Sequence, residues 1–366
     1  MLFYLTDSLI VDRDTPEFPF IKRAIWYLAL SVTECKHLLR GDEKVLKHYE
    51  AEFADNDMAY PLLHNLIVKP TTGNTVPNEI VNYIEVVRDN PLDTVKEGHY
   101  IKQVCYTYFN DSSKVQPMRI AVEDIDDSKF YGYILDWYLS ENSLKFNHSY
   151  GVLPGGGGRT EKNVRDSLND GLMVTCIVDS DKKYKNQPDD PDSTGYKCSK
   201  IKCPFGGIYY FLMLKVHELE NLIPLNHLDS LKWEGQGLKD KNDFMHLCGK
   251  AESEQLLPYF DIKEGIKKID VVKYGADYYA YAKKCCSLHP TLQGGQSFKD
   301  YVDGLLTDDS YVYPRLRKRI MNDMADKYER KNVAYPLLMV YQFDEWNRIA
   351  QLLLDVTCAK NPEAMM

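Results

Sequence analysis

Three clusters of acidic residues each follow an apolar run in this chain of 366 residues. MRIAV (118–122) leads into Glu123-Asp124-Ile125-Asp126-Asp127. LMVTCIV (172–178) leads into Asp179-Ser180-Asp181. A third run, ending at Val216, leads into His217-Glu218-Leu219-Glu220-Asn221. Carboxylates gathered in one place repel one another and hold their protons more tightly unless a cation neutralises them. Oxygen donors of this kind select hard divalent cations such as magnesium, manganese or calcium. A bound ion of that class activates water and offsets the charge that develops on a phosphate. Asp179 and Asp181 are two apart, so in an extended segment both point the same way while Ser180 points away. The pair then shares one ion or brackets two. The competing reading is an acidic turn, since aspartate and serine are common turn formers.

The pattern around these residues predicts a parallel α/β sheet. MRIAV reads as a strand, and DSKFYGYILDWYL (127–139) has helical spacing. KFNHSYGVL reads as a second strand, and EKNVRDSLND as a short helix. LMVTCIV is an uninterrupted apolar run of the kind buried on both faces, and GIYYFLMLKV supplies a further strand near 208–216. In such a sheet ligands bind beyond the carboxyl ends of the strands, where the acidic clusters fall. Three regions follow: residues 1–115 as an α+β region without a chemical motif, 116–225 as the parallel sheet, and 226–366 as mainly helical. In the first region PFIKRAIWYLALSVTECKHLL, from Pro19, reads as one amphipathic helix carrying Ile25, Leu28 and Leu39, with Gly41 as its stop. Residues 69–78 read as a loop by composition.

The motifs resemble those of TOPRIM domains. AVEDIDDSKFYGYIL resembles their first motif, a strand ending in Val-Glu with an aspartate four residues beyond the glutamate, then a helix. IVDSDKK resembles the second, Asp-x-Asp at the end of a buried strand. LPGGGGRTEKNV resembles the glycine-containing turn and helix between them. LKVHELENLIP is similar to a Glu-Asn-bearing segment of OLD-like nucleases and related phage-defence TOPRIM proteins, and LLPYFDIKEGIKK to a lysine-bearing segment of that group. The likeness covers about residues 116–270. It implies a TOPRIM-like parallel sheet core holding Mg2+ or Mn2+. Glu123 would be a metal ligand and general base, with Asp179 and Asp181 as further ligands. Asp127 and Glu220 would serve a second ion, Glu218 being the rival of Glu220. Lys263 would stabilise transition-state charge. The implied activity is a metal-dependent nuclease acting on DNA or RNA in anti-phage defence, with a separate ATPase subunit as partner and a homo-oligomer among the assemblies open to it. The alternative is a TOPRIM-like sensor or scaffold without catalysis, and a further rival is a phosphatase using Asp-x-Asp. Two positions depart from the family pattern. Asp124 stands where glycine is usual, and a proline- and aspartate-rich stretch follows Asp181 where a helix is often found. Such a loop would cover the site or bind a partner.

Composition narrows the choice. A net charge of −9 argues against a protein that coats DNA through its surface, because phosphate contacts dominate that binding. Two local basic groups stand out, Lys182-Lys183-Lys185 and Arg315-Arg317-Lys318-Arg319. The 27 tyrosines suit base stacking, but cores and interfaces are their commoner use. The glycines 155–158 suggest a phosphate cradle, but neither a Walker loop nor a complete GxGxxG follows. No apolar run is long enough to span a membrane and no signal peptide opens the chain, so a cytoplasmic protein is expected. Cysteine is present at nine positions, which suits reduced thiols. Cys198, Cys203, His246 and Cys248 form a poor zinc pattern.

Overall fold

The computed structural model describes residues 1–56, 58–69, 75–203, 206–289, 294 and 296–360. The loop expected over 69–78 therefore falls partly outside the described residues. Leu2–Leu5 forms β1, flanked in parallel by β2 (Leu38–Gly41) and β3 (Asn82–Val87). Beyond β3 lie the short antiparallel β4 (Thr94–Lys96), at the sheet edge, and β5 (His99–Cys105), which pairs in parallel with β3. Helices α1 (Phe18–Thr33), α2 (Glu43–Glu52) and α3 (Ala59–Val68) connect the first three strands. The N-terminal region, expected as α+β, is thus largely a parallel α/β unit. The reason is the burial of β1. Leu2, Phe3 and Leu5 are fully buried, with Leu2 and its neighbour Phe3 in different apolar clusters, the state of a strand covered on both faces.

Helix α1 accepts Pro19 in its first turn, as the sequence predicts. It ends at Thr33 rather than at Gly41, because Cys35 turns the chain with a left-handed φ of 56°. Leu38 and Leu39 then pair with Leu2 and Phe3 of β1 instead of extending the helix. Gly41 closes β2, where an added Cβ would lie 2.9 Å from the Leu5 Cβ.

The second sheet carries the acidic clusters. It begins with β6 (Met118–Val122) and includes β8 (Tyr150–Pro154), β9 (Val174–Val178) and β10 (Tyr209–Met213), all parallel, in the order β10-β9-β6-β8. A two-residue strand β7 (Asn147–His148) precedes β8 and pairs with Cys358–Ala359. Helices α4 (Asp127–Glu141), α5 (Thr160–Asn169) and α6 (Thr194–Ser199) lie between the strands in sequence. From β6 the chain goes first to one neighbour, β8, and then to the other, β9. This reversal places a topological switch point at the carboxyl ends of β6 and β9.

Side chains alternate between two covered faces. Ile120, Val122 and Ile177 join the large cluster that includes Phe130 and Ile134 of α4. Ala121, Val174, Cys176 and Val178 meet Val164, Leu168 and Cys198 on the other side. The third region contains α7 (Gly235–Cys248), α8 (Ser253–Leu256), α9 (Lys268–Lys273), α10 (Gly275–Ser287), α11 (Phe298–Asp303), α12 (Ile320–Glu329) and α13 (Val340–Thr357), with one small antiparallel ribbon. It does not stand apart from the second sheet. Phe130 of α4 packs 4.5 Å from Tyr328 of α12 and 5.6 Å from Trp346 of α13, ring centre to ring centre. Trp346 is fully buried and donates Nε1–H to the Leu222 carbonyl at 3.0 Å. Truncating a buried aromatic of this kind costs about 3–5 kcal/mol. Among the described residues no helix is long and apolar enough to cross a membrane.

Candidate metal site at the carboxyl ends of the second sheet

Glu123 follows the last residue of β6 and Asp179 the last residue of β9. The two ends are tied together, because the Asp179 amide donates to Glu123 Oε1 at 3.2 Å. Asp127 opens α4, and its Oδ2 accepts the Asp124 amide at 2.9 Å, which closes the turn after β6. Aspartate at position 124 thus makes this turn without the glycine usual in the resembling motif. Two of the four glycines serve the same corner. Gly155 and Gly156 donate their amides to Val122 O at 2.7 Å and Glu123 O at 3.1 Å. A Cβ at Gly155 would lie 2.6 Å from the Val122 carbonyl oxygen. These two amides are committed to β6 and its end, so Gly155 and Gly156 brace Glu123 and are not free to cradle a phosphate.

Asp181 corrects the alternation argument. The segment after β9 is not extended: Asp181 has a left-handed φ of 56°, and its amide donates to the His217 carbonyl at 3.0 Å. Ser180 turns inward, its hydroxyl donating to Val216 O at 2.5 Å. Aspartate tolerates this conformation better than most residues because its short polar side chain bonds locally. Asp181 still faces Glu123 closely enough to act on its charge.

Electrostatics bind the cluster into one unit. Burial, then the neighbouring Asp181, pushes the Glu123 carboxyl above its ordinary range. Burial and Glu123 push Asp179 well above its own. Burial raises Asp127 to about 7, against the Asp124 amide, with Glu220 adding to the rise. Each of these groups feels Lys263 as a compensating charge. Glu123, Asp127, Asp179, Asp181, Glu220 and Lys263, separated by up to about 140 positions in sequence, therefore share one neighbourhood.

Lys263 comes from the third region, in the turn before the small ribbon. Its ammonium lies 3.0 Å from Glu218 Oε2 and 3.1 Å from Glu220 Oε2. Burial disfavours its charge, but Glu218, Glu220 and Asp179 hold it firmly protonated. Glu220 therefore already has a resident cation, and Glu218 shares it.

Behind this pair sits a group the sequence reading did not assemble. His217, Glu218 and Asp261 are buried, with ligand-type atoms within 4.8 Å of one another, the one such group found among the described residues. Its donor atoms are largely taken by the protein. Glu218 Oε1 accepts the amides of Ile262 at 2.8 Å and Lys263 at 3.1 Å. Asp261 Oδ1 accepts the Glu264 amide at 2.6 Å, while Oδ2 lies 3.2 Å from Lys183 Nζ and 3.4 Å from His217 Nε2. Burial opposes the Asp261 charge, yet His217 and Lys183 hold its carboxyl below the usual range. Burial and Glu220 raise Glu218 to about 7 despite Lys263. This network anchors the turn that presents Lys263. Its sequence signal was present but unread: Asp261 stands two residues before Lys263 in the quoted lysine segment.

Other expectations resolve differently. The basic groups are partly spent on ion pairs. Lys182 meets Asp189 at 2.9 Å, Lys183 meets Asp261, and Arg317 meets Asp323 at 2.7 Å. Cys198 and Cys248 lie in separate apolar clusters, so the zinc set is not assembled, and the cysteines are free thiols. The proline-rich stretch after Asp181 borders the same cleft as the carboxylates. Gln187, Pro188, Asp190, Asp192 and Ser193 line a cleft of about 710 Å³ together with Glu123, Asp179 and Asp181.

In comparisons with known proteins, the chain matches no family model, no curated protein and no solved structure.

Proposed function

We propose that this chain is a TOPRIM-type, divalent-metal-dependent phosphodiesterase acting on nucleic acid, with Mg2+ or Mn2+ held by Glu123, Asp179 and Asp181. The observation that carries the reading is the elevated proton affinity of adjacent carboxylates at a topological switch point. Such a cluster binds something positive at neutral pH, either protons or a hard cation. The donor set fits the cation: it is all oxygen, half-buried at Glu123 and Asp179, exposed at Asp181, and it lines the cleft. The three carboxylates are not as tightly grouped as His217, Glu218 and Asp261, which suits an ion that keeps several of its waters. When bound, the ion would supply a lowered water pKa and charge compensation at phosphate.

The chain's own residues supply the rest. Glu123 Oε1 is fixed by the Asp179 amide, so Oε2 is the oxygen available to a ligand or a proton. Lys263 carries a permanent charge beside the carboxylates and takes the place that a second ion would fill between Glu218 and Glu220. This favours one ion plus one lysine over two ions. Asp127 supports the turn behind Glu123. An ATPase on a separate chain and a role in anti-phage defence belong to the same reading, which rests for them on the motifs alone.

The test is calorimetric titration with MnCl2, followed by cleavage assays on single- and double-stranded DNA and RNA. Wild type should bind the ion and cut. Glu123→Gln and Asp179→Asn should each lose at least about a hundredfold in cleavage, the scale of removing a group that acts on transition-state charge. Absence of metal binding, with no cleavage by the chain alone or with a neighbouring ATPase, would overturn the proposal. It would favour the scaffold reading, which the internally satisfied Glu218 and Asp261 also suit.

A further inference from the structure

The lysines lining the cleft are of two kinds. Lys183 and Lys263 are committed, the first to Asp261 and Asp270, the second to Glu218 and Glu220. Lys273 and Lys318 are exposed. Lys273 has no carboxylate partner among the described ion pairs, and Lys318 has only Glu264 at 3.7 Å. Between the two kinds stands Tyr274, half-buried in the cleft wall. Its ring is set edge-to-face against Tyr278 at 5.5 Å, with the Lys273 ammonium 5.0 Å and the Lys183 ammonium 5.8 Å from its centre. The lining of the cleft thus combines Lys273, Lys318 and a braced aromatic ring with residues of the 187–193 segment.

Size decides what fits. A cleft of about 710 Å³ lies within the range of roughly 300–1,000 Å³ that engulfs one small ligand. Duplex recognition works the other way round, with a protein element entering a major groove about 12 Å wide. Single strands are held by aromatic stacking combined with cations that track the backbone. We infer that the cleft admits a single nucleic-acid strand, with Tyr274 as the stacking platform for a base and Lys273 and Lys318 as phosphate contacts. The inference rests on the phosphodiester reading above and names its substrate class.

The experiment is fluorescence anisotropy with the full chain, in EDTA and again in CaCl2, using labelled dT12 and a 12-base-pair duplex. The single strand should bind at least about tenfold more tightly than the duplex. Tyr274→Ala should weaken it by about fivefold to a hundredfold, and Tyr274→Phe should restore it. Lys273→Ala and Lys318→Ala, both exposed, should each lower the salt slope by about 0.7. Equal or tighter duplex binding overturns the inference. So does an unchanged affinity in the Lys273→Ala/Lys318→Ala double variant, which remains decisive if Tyr274→Ala melts early. The two readings fail separately. Strand binding without metal-dependent cleavage removes the phosphodiesterase, whereas cleavage with a duplex preference removes only the single-strand assignment.

Discussion

Replacing Lys263 by methionine keeps the apolar stem and removes the ammonium from between Glu218 and Glu220. Both glutamate side chains are nearly buried, at 5% and 7% exposure, while the lysine side chain is 36% exposed. Breaking a fully buried pair costs about 3–5 kcal/mol because a charge is left uncompensated. The exposure of Lys263 reduces this, and Glu218, already near 7, takes up a proton near neutrality, so a loss of about 2 kcal/mol is expected. With an unfolding entropy of roughly 2 cal/mol/K per residue, that lowers the melting temperature by about 2–3 °C. Manganese should reverse the loss more strongly in Lys263→Met than in wild type, since a ligand present at about 100 times its Kd returns about 2.7 kcal/mol. Calorimetry should show one ion per wild-type chain and two per variant chain. A variant that melts with wild type, or a stoichiometry of two in both proteins, would refute the idea that the lysine fills the place of a second cation.

Three further outcomes follow from the geometry. Metal-free protein should lose stability as pH rises from about 4 to 7. Asp127 and Glu218, both at about 7, keep protons that the unfolded chain has already released above its ordinary carboxylate pKa. Thermal melts across that window should fall with pH, and saturating Mn2+ should flatten the slope by replacing the protons. Gly155→Ala should cost about 1–3 kcal/mol in chemical denaturation, because its Cβ would press on the Val122 carbonyl that ends β6. Asp181→Ala should cost about 1 kcal/mol more than Asp181→Gly, because only glycine relaxes freely at φ 56°, while both should weaken Mn2+ binding alike in calorimetry.

The elements that carry the site were legible because their residues encode local structure strongly. MRIAV forms β6 at its expected bounds, and the helix after Asp127 begins where its spacing starts. LMVTCIV yields β9 from Val174, buried at every position, as its unbroken apolar character requires. The misreadings arose where tertiary pairing overrides local pattern. Leu38 and Leu39 fit a helical face, but β1 offers them a parallel partner, and the left-handed Cys35 allows the turn. Asp179 and Asp181 fit an extended alternation, but the backbone turns so that the Asp181 amide can reach the His217 carbonyl.

By itself the sequence determined which residues were charged, which runs were buried, and that Glu123 and Asp179 would end apolar strands. Those properties follow from residue type and period. What the acidic residues do to one another depended on the tertiary structure. Only the strand order β10-β9-β6-β8 makes β6 and β9 neighbours, so that two carboxylates 56 positions apart compete for the same protons. Only the docking of the third region brings Lys263 between Glu218 and Glu220. Electrostatic energy depends on distance through space and on burial, and neither can be read from spacing along the chain.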